Sequence, residues 1–455
     1  MTKPGALHSG LIDPAVNPGR VGQNRVMASP VSPPRGMRDF LPADKAHRER
    51  VLGVIRETYR AHGFDEIETP VMEDSSRLHA GLGGDNEKLA FGVLKRGLTT
   101  DDLHQATDSL ELADLGLRFD LTVPLARFYA THRAELPRVF RSIQIAPVWR
   151  AERPQKGRYR QFVQCDIDII GEPGPLAEVE LVSATIATVR ALGITGCRII
   201  INDRRLLTSM LTVLGFPAGE HSAVLITVDK LDKVGESGVV AELHERGMTA
   251  AAVDALEVFF AREPAGPLPF GVEGITAALP AGVAPDVISE LAELGAAVDA
   301  ARGTDAAALV EFDPFLVRGM GYYTGPIFEV AHPSLGYSLG GGGRYDGMIG
   351  RFLGSEVPAT GFSLGFERIV DLVDLDEEET REAIALVHDV TVAPQVLATL
   401  KAQLIAGGSR VRLARRGKNI KALFDALAAE GFTSFAFVSA DTTTLNDLEV
   451  RSLSA

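Results

Sequence analysis

The sequence predicts an α+β protein: a sheet-containing body flanked by helices, a helical insertion within that body, and a small α/β domain at the C-terminal end. Three observations carry this. Residues 139–171 are rich in β-branched and aromatic types around one polar, basic break. Residues 203–302 are alanine-rich and helix-like, and beyond residue 380 strand and helix periods alternate. A chain of 455 residues is too long for one ordinary domain. Its 45% apolar and 23% charged residues allow a sizeable buried core. The absence of any run of about 18 apolar residues excludes a membrane-spanning helix. The two cysteines, Cys165 and Cys197, exclude a disulfide scaffold and a cysteine-rich zinc site, and fit a reducing, cytoplasmic setting.

Residues 1–34 hold six prolines among Gly, Ser and Asn with no apolar period, which predicts a disordered leader. The basic start and apolar stretch of a secretory signal are missing. A first domain is expected over 35–373. His47–His62 reads as a helix because Val51, Ile55 and Tyr59 recur at four-residue steps, and Gly63 is its stop. Phe64–Pro70 reads as a short strand ended by a proline without an amide hydrogen. VFRSIQIAPVWRAE and YRQFVQCDIDII read as two strands joined by the basic loop RPQKGR. Pro173–Leu192 reads as a helix and Arg198–Ile201 as a short buried strand. The helical insertion, about 205–300, breaks at Gly215, Pro217, Pro264 and Pro280. Strand character returns from Ala308 through Glu329, followed by a glycine-rich stretch and a helix near Gly361–Val373. After the acidic run Asp374–Glu379, a second domain is expected over 380–455. Its periods predict strand Val390–Ala393, helix Gln395–Ala406, strand Ser409–Leu413, helix Asn419–Ala429 and strand Ser434–Val438, hence a largely parallel sheet.

Five constellations carry chemistry. Between the first two strands, Arg150, Arg153, Lys156, Arg158 and Arg160 fall within eleven residues with Glu152 the only acid. Guanidinium forks pair bidentately with phosphate, so this density points to a polyphosphate, or else to a solvated hairpin tip. LVRGMGYYTGPIFEV places Arg318 beside glycines and Tyr322–Tyr323. Adjacent tyrosines on a strand face opposite ways, so only one is expected in a given pocket. In LGGGGRYDG four successive glycines suit a backbone that hugs a small molecule, or a flexible surface loop. GFSLGFER spaces Gly361 and Gly365 before a helix on which Arg368 could reach nucleotide. Asp120 with Thr122, and Asp166 with Asp168, lie in apolar strand-like text, where carboxylates need a cation or hydrogen bonds. Asp166 and Asp168, two apart, share one strand face.

In this order the segments resemble the class II aminoacyl-tRNA synthetases, and within them the histidyl-tRNA synthetases, over about residues 35–453. The helix–strand–Pro70 unit is similar to the class's first motif, a dimer element. VWRAERPQKGRYRQF resembles the second and GFSLGFER the third. LVRGMGYYTGPIFEV and SLGGGGRYDG resemble the two signatures peculiar to histidyl enzymes, and DKLDKVG at Asp229–Gly235 resembles text of their helical insertion. The resemblance implies an antiparallel catalytic sheet and a C-terminal α/β domain that binds the anticodon. It implies that Arg150 contacts the ATP α-phosphate and the amino acid carboxylate, with Glu152 at the adenine amino group, Arg158 at the outer phosphates and Arg368 over the adenine. Asp120, Thr122 and Gln164 would hold the histidine α-amino group, and Asp168 and Tyr323, beside Tyr322, would read the imidazole. Arg318 would stabilise charge at the α-phosphate. Gly321 stands where many members carry Asp, and Asp168 is one methylene shorter than their Glu.

The implied reaction activates L-histidine with ATP, assisted by Mg²⁺ held by no protein side chain, and transfers it to tRNA(His) on a cytoplasmic homodimer. The alternative is a catalytically silent, synthetase-like regulatory subunit of histidine biosynthesis. A net charge of −14 speaks against indiscriminate nucleic-acid binding. Yet from Arg381 to Ala455 nine bases face seven acids, and six of those bases lie between Arg410 and Lys421. Arg415, Arg416 and Lys418 are therefore the expected tRNA contacts.

Overall fold

A proline at the first helical turn and a left-handed glycine after the last one frame the first helix, Pro42–Ala61. Gly63 has φ +84°, a conformation that costs a residue without Cβ little. The computed structural model describes residues 31–79, 89–154, 157–262, 270–302, 308–318, 321–375 and 382–453. Most of the expected leader, Gln155, Lys156, Gly319 and Asp376–Glu379 lie outside the described residues. The helix begins five residues before the apolar stripe suggested, and Val51, Ile55 and Tyr59 are fully buried on it. The strand expected over Phe64–Pro70 shrinks to β1, Asp65–Glu66. It is an edge strand: Ile67 N still donates to the Ile143 carbonyl at 3.0 Å, but beyond it the Thr69 carbonyl accepts from the Arg118 side chain at 2.8 Å rather than from a strand.

Three short strands, β2 (Met72–Asp74), β3 (Phe91–Leu94) and β4 (Ala113–Leu117), form a small antiparallel sheet in the order β2-β4-β3. The main sheet has eight strands. It contains β5 (Phe140–Trp149), β6 (Gln161–Ile170), β7 (Cys197–Asp203), β8 (Ala308–Phe312), β9 (Pro326–Ala331), β10 (Gly340–Arg344) and β11 (Ala359–Gly365), ordered β1-β5-β6-β11-β10-β9-β7-β8. Pairing is antiparallel from β5 to β7, and the edge strands β1 and β8 are parallel to their neighbours. The sheet is therefore antiparallel at its centre and mixed at its margins.

Strand periodicity separates two faces of β6. Cys165, Ile167 and Ile169 are fully buried on one, while Gln164, Asp166 and Asp168 occupy the other. Helix Leu176–Ala191 packs between the first helix and Pro285–Arg302, closing the core. The four-glycine stretch is a strand, β10, with β9 and β11 on either side. It is neither a surface loop nor free to wander. The helix expected near Gly361–Val373 begins as strand: Ala359–Gly365 pairs with β6 and β10, and only Phe366–Ile369 turns helical. Sheet pairing here overrides the four-residue glycine spacing that suggested a helix.

Among the described residues the insertion shows six helices between Arg204 and Arg302, with breaks near Gly215, Pro217 and Pro280; Pro264 lies outside the described residues. The C-terminal unit has β12 (Ala383–His388), β13 (Arg410–Arg415), β14 (Ser434–Val438) and β15 (Val450–Ser452) in the order β13-β12-β14-β15. The first three are parallel, connected through helices Pro394–Ala406 and Ile420–Ala429. The strand expected at Val390–Ala393 is a turn and the N-cap of the following helix. The true strand is AIALVH, a continuous apolar run buried on both faces, which lacks the alternation that marks a half-exposed strand.

Candidate active site

The cleft of the main sheet lies over the backbone of β10, in a cavity of about 370 Å³. Its lining comes from several distant segments. The strand β6 contributes Gln164 and Asp166; the end of β5 and the following loop contribute Arg150, Glu152, Arg158 and Tyr159. Asp120 and Thr122 flank the start of helix Thr122–His132. Arg318, Tyr322 and Tyr323 come from the segment before β9, and Glu367 and Arg368 from helix Phe366–Ile369.

Glycine is required in β10 by this packing. A Cβ on Gly341 would stand 2.5–2.7 Å from the Arg318 guanidinium, and one on Gly342 would stand 1.9 Å from the Gly361 carbonyl oxygen. The first clash is with a side chain of the site and the second with the neighbouring strand.

Two electrostatic regions face one another. Toward β6, Asp120, Asp166 and Asp168 repel one another, and Tyr322, Tyr323 and Tyr345 stand close by. Burial, then the neighbouring Asp168, pushes the Asp166 carboxyl well above its usual range. One of its oxygens is buried without a hydrogen-bond partner. Gln164 Nε2 donates to Ser363 Oγ at 2.9 Å. Burial raises Asp168 to about 7, opposed by the Tyr345 hydroxyl, which donates to it at 2.6 Å. Burial also raises all three tyrosines, so each stays a phenol and a donor at neutral pH.

The opposite region is cationic. Arg318 Nη1 donates to Glu329 Oε2 at 2.7 Å, and Arg158 pairs with Glu152 at 3.5 Å. Arg368 donates to the Ser338 carbonyl and lies 4.9 Å from the Tyr337 ring. Burial, and after it the nearby Arg158, lowers the Arg368 pKa. Arg150 donates to the Phe119 carbonyl at 2.9 Å and sits over Phe162, and burial likewise lowers it. Such arginines, placed before charge arrives, suit a polyphosphate.

The structure therefore brings Asp120, Thr122, Arg150, Glu152, Arg158, Gln164, Arg318, Tyr322, Tyr323 and Arg368 into one cleft. Asp168 lies one layer deeper, under Tyr345 and against Gly361. Tyr322 and Tyr323 both line the cleft, against the expectation of one. They occupy a turn before β9 rather than a strand, so the two-residue alternation does not apply, and their rings pack 4.7 Å apart. Tyr345, Glu329 and Glu367 were not anticipated. Glu329 carried a usable signal, being an acid inside the apolar strand IFEV; Tyr345 and Glu367 carried none. Arg415, Arg416 and Lys418 belong to the separate C-terminal sheet, exposed at the carboxyl end of β13 and just beyond it.

A family model described as histidyl-tRNA synthetase matches residues 36–369. The chain is 61% identical over 421 residues to a histidine–tRNA ligase of Leifsonia xyli subsp. xyli, covering 91% of this chain and 97% of the relative. It is 45% identical to a probable histidine–tRNA ligase of Tropheryma whipplei (strain Twist), covering 90% and 96%. Among solved structures it resembles histidyl-tRNA synthetase from Nostoc sp. PCC 7120, with TM-score 0.71, 25% identity and coverage of 93% and 94%. It also shares its fold with an ATP phosphoribosyltransferase regulatory subunit/histidyl-tRNA synthetase from Bacillus halodurans C, at TM-score 0.70 and 20% identity over 90% of this chain and 99% of that one. With a two-region cleft on an antiparallel sheet and matches that span most of its length, the chain belongs to the histidyl-tRNA synthetase family.

Proposed function

We propose the following roles for the cleft of a chain that is a histidine–tRNA ligase, an ATP-dependent aminoacyl-tRNA synthetase. It activates L-histidine with ATP to histidyl-adenylate and pyrophosphate, then transfers histidine to the 3′ end of tRNA(His). The supporting observation is the division of one cleft into a carboxylate–phenol region and a four-arginine region, matching an ammonium and imidazole on one side and a triphosphate on the other. Asp120, Thr122 and Gln164 hold the α-amino group, and Asp166 adds a carboxylate with an oxygen to spare. Asp168 and Tyr323, beside Tyr322, read the imidazole. An apolar side chain there would leave these groups unpaired, which costs more than a lost contact.

Arg150, the arginine of the cationic region that has Asp120 and Asp166 near it, meets both the histidine carboxylate and the α-phosphate. The carboxylate oxygen attacks the α-phosphorus, the bond to the bridging oxygen breaks, and pyrophosphate leaves. No side-chain nucleophile is needed: Arg150 and Arg318 align two mutually repelling anions and neutralise the charge that develops. Glu152 receives the adenine amino group, Arg158 the outer phosphates, and Arg368 covers the base. This reading takes Mg²⁺ in on the ATP phosphate oxygens, as part of the substrate.

In this reading residues 35–373 are the catalytic domain, about 205–300 its helical insertion, and 380–455 the anticodon-binding domain, with Arg415, Arg416 and Lys418 meeting tRNA. The protein would act as a cytoplasmic homodimer; among the described residues no helix is long and apolar enough to cross a membrane. The silent regulatory alternative is not favoured, because Arg150, Arg158, Arg318 and Arg368 all face the same cleft. Histidine-dependent exchange of labelled pyrophosphate into ATP tests the reading. No exchange with Mg²⁺ present would overturn it.

A further inference from the structure

Arg38 is not among the described residues that line the cleft, yet it touches two that do. Its guanidinium carbon lies 3.6 Å from the centre of the Tyr159 ring, and its Nη2 pairs with Glu367. Tyr159 follows Arg158 on the nucleotide loop; Glu367 precedes Arg368 on the short helix after β11. One side chain thus joins the carriers of both outer arginines. The backbone beside it does the same for the loop alone. Arg160 N donates to the Gly36 carbonyl at 2.8 Å, and Arg160 Nε donates to the Glu152 carbonyl at 3.0 Å. Gly36 has φ +83°, and a Cβ there would meet Pro154 at 2.7 Å and Arg160 at 2.9 Å, so the segment lies flat against the loop.

Glu367 does not depend on Arg38. Arg48, buried on the first helix, grips the same carboxylate with two bonds of 2.7 Å, and Val163 N donates to it at 3.2 Å. This asymmetry separates position from stability. Losing Arg38 leaves the short helix anchored, but frees the loop that carries Arg158 from its aromatic hold.

We propose that Gly36–Phe40 is a strap that sets the nucleotide loop, with Arg38 as a positioning residue that stacks on Tyr159 and ties it to Glu367 for ATP binding. The inference rests on reading the cleft as the ATP site. Arg38 does not contact substrate; it presets where Arg158 and Glu152 wait, so less ordering remains to be done when ATP binds.

Pyrophosphate exchange measured against ATP and, separately, against histidine tests the strap. In Arg38→Ala the KM for ATP should rise about tenfold with the KM for histidine within about twofold, a split that general loss of fold would not produce. Arg38→Lys keeps a charge for Glu367 but lacks a planar group for the ring, and should fall between. Tyr159→Phe keeps the ring face and should raise the ATP KM less than Tyr159→Leu, which should reproduce Arg38→Ala without adding to it in the double variant. Should Arg38→Ala fail to fold, the Phe and Leu variants of Tyr159 still decide. An unchanged ATP KM in Arg38→Ala or Tyr159→Leu overturns the strap, as does an equal rise in both KM values. Absence of exchange in the wild-type enzyme would instead overturn the synthetase reading itself.

Discussion

Asp168 is held in two opposing ways. Burial disfavours its charge and raises its pKa to about 7, while the hydroxyl of Tyr345 favours the charge. In the unfolded chain the same group titrates near 3.8. Between those values the folded state binds the proton more tightly, so Asp168 contributes stability that is fully present below the lower value and lost as pH rises through about 7. Asp168→Asn should abolish that contribution. The drop in Tm from pH 5 to pH 8 should be shallower than in wild type, and an unaltered drop would contradict the assignment. Arg318→Ala makes the second case at this scale. Paired with Glu329 at 2.7 Å, Arg318 lines the cleft and is the residue proposed to meet the developing phosphate charge. Its loss should reduce pyrophosphate exchange by about 100- to 1,000-fold while histidine binding, measured by calorimetry, largely survives. Such residues were legible from the text, because a carboxylate or arginine among apolar neighbours is costly unless something charged answers it. Tyr345 was not, since its importance comes from meeting Asp168 across 177 positions of sequence.

Among the elements, β10 separates two kinds of glycine. At Gly341 an added methyl would press on the Arg318 guanidinium, the far part of a flexible side chain. At Gly342 it would press on the backbone of β11, which cannot yield without breaking the ladder. Gly341→Ala should therefore fold with a Tm near wild type but show weakened exchange. Gly342→Ala should lose about 1–3 kcal/mol or more of stability in a denaturant titration. Gly321 is a third kind, because a Cβ there would meet nothing within 4 Å. The glycine run was recognisable as a place where backbone approaches something closely. That it is an inner strand of the main sheet was not, because glycine has no strand propensity of its own, and only pairing with the flanking β9 and β11 makes the run a strand. A different reason hides the strand AIALVH: full burial erases the alternation on which strand recognition depends.

For the whole molecule, the distribution of charge matters more than its sum. The chain carries −14 overall, yet Arg415, Arg416 and Lys418 are exposed at the carboxyl end of the edge strand β13, the end at which parallel sheets commonly receive ligands. Arg416 lies 5.1 Å from the Phe437 ring, which is partly exposed. Neutralising all three bases should raise the KM for tRNA and flatten its salt dependence, with pyrophosphate exchange intact. A loss of exchange would instead tie these residues to the catalytic cleft. For the proposed homodimer, exposed Val71, Met72 and Leu94 offer apolar surface on and beside the small sheet. Sedimentation should give twice the 48.6 kDa chain mass. A monomer at working concentration would refute it.

The sequence by itself determined the class of the fold, the helical insertion, the alternating C-terminal unit and most of the charged residues of the cleft. These depend on local period, on turn residues and on the cost of isolated charge, all of which are written within a few neighbouring positions. Only the tertiary structure decided that both tyrosines face the cleft, that the glycine run is an inner strand, and that Glu367 is shared by Arg38 and Arg48. The Glu367 pairs join residues 329 and 319 positions apart, and the glycine run lies inside the sheet because β11 pairs in turn with the distant strand β6. No local pattern records such contacts, because the energy that selects them arises only when the whole core closes.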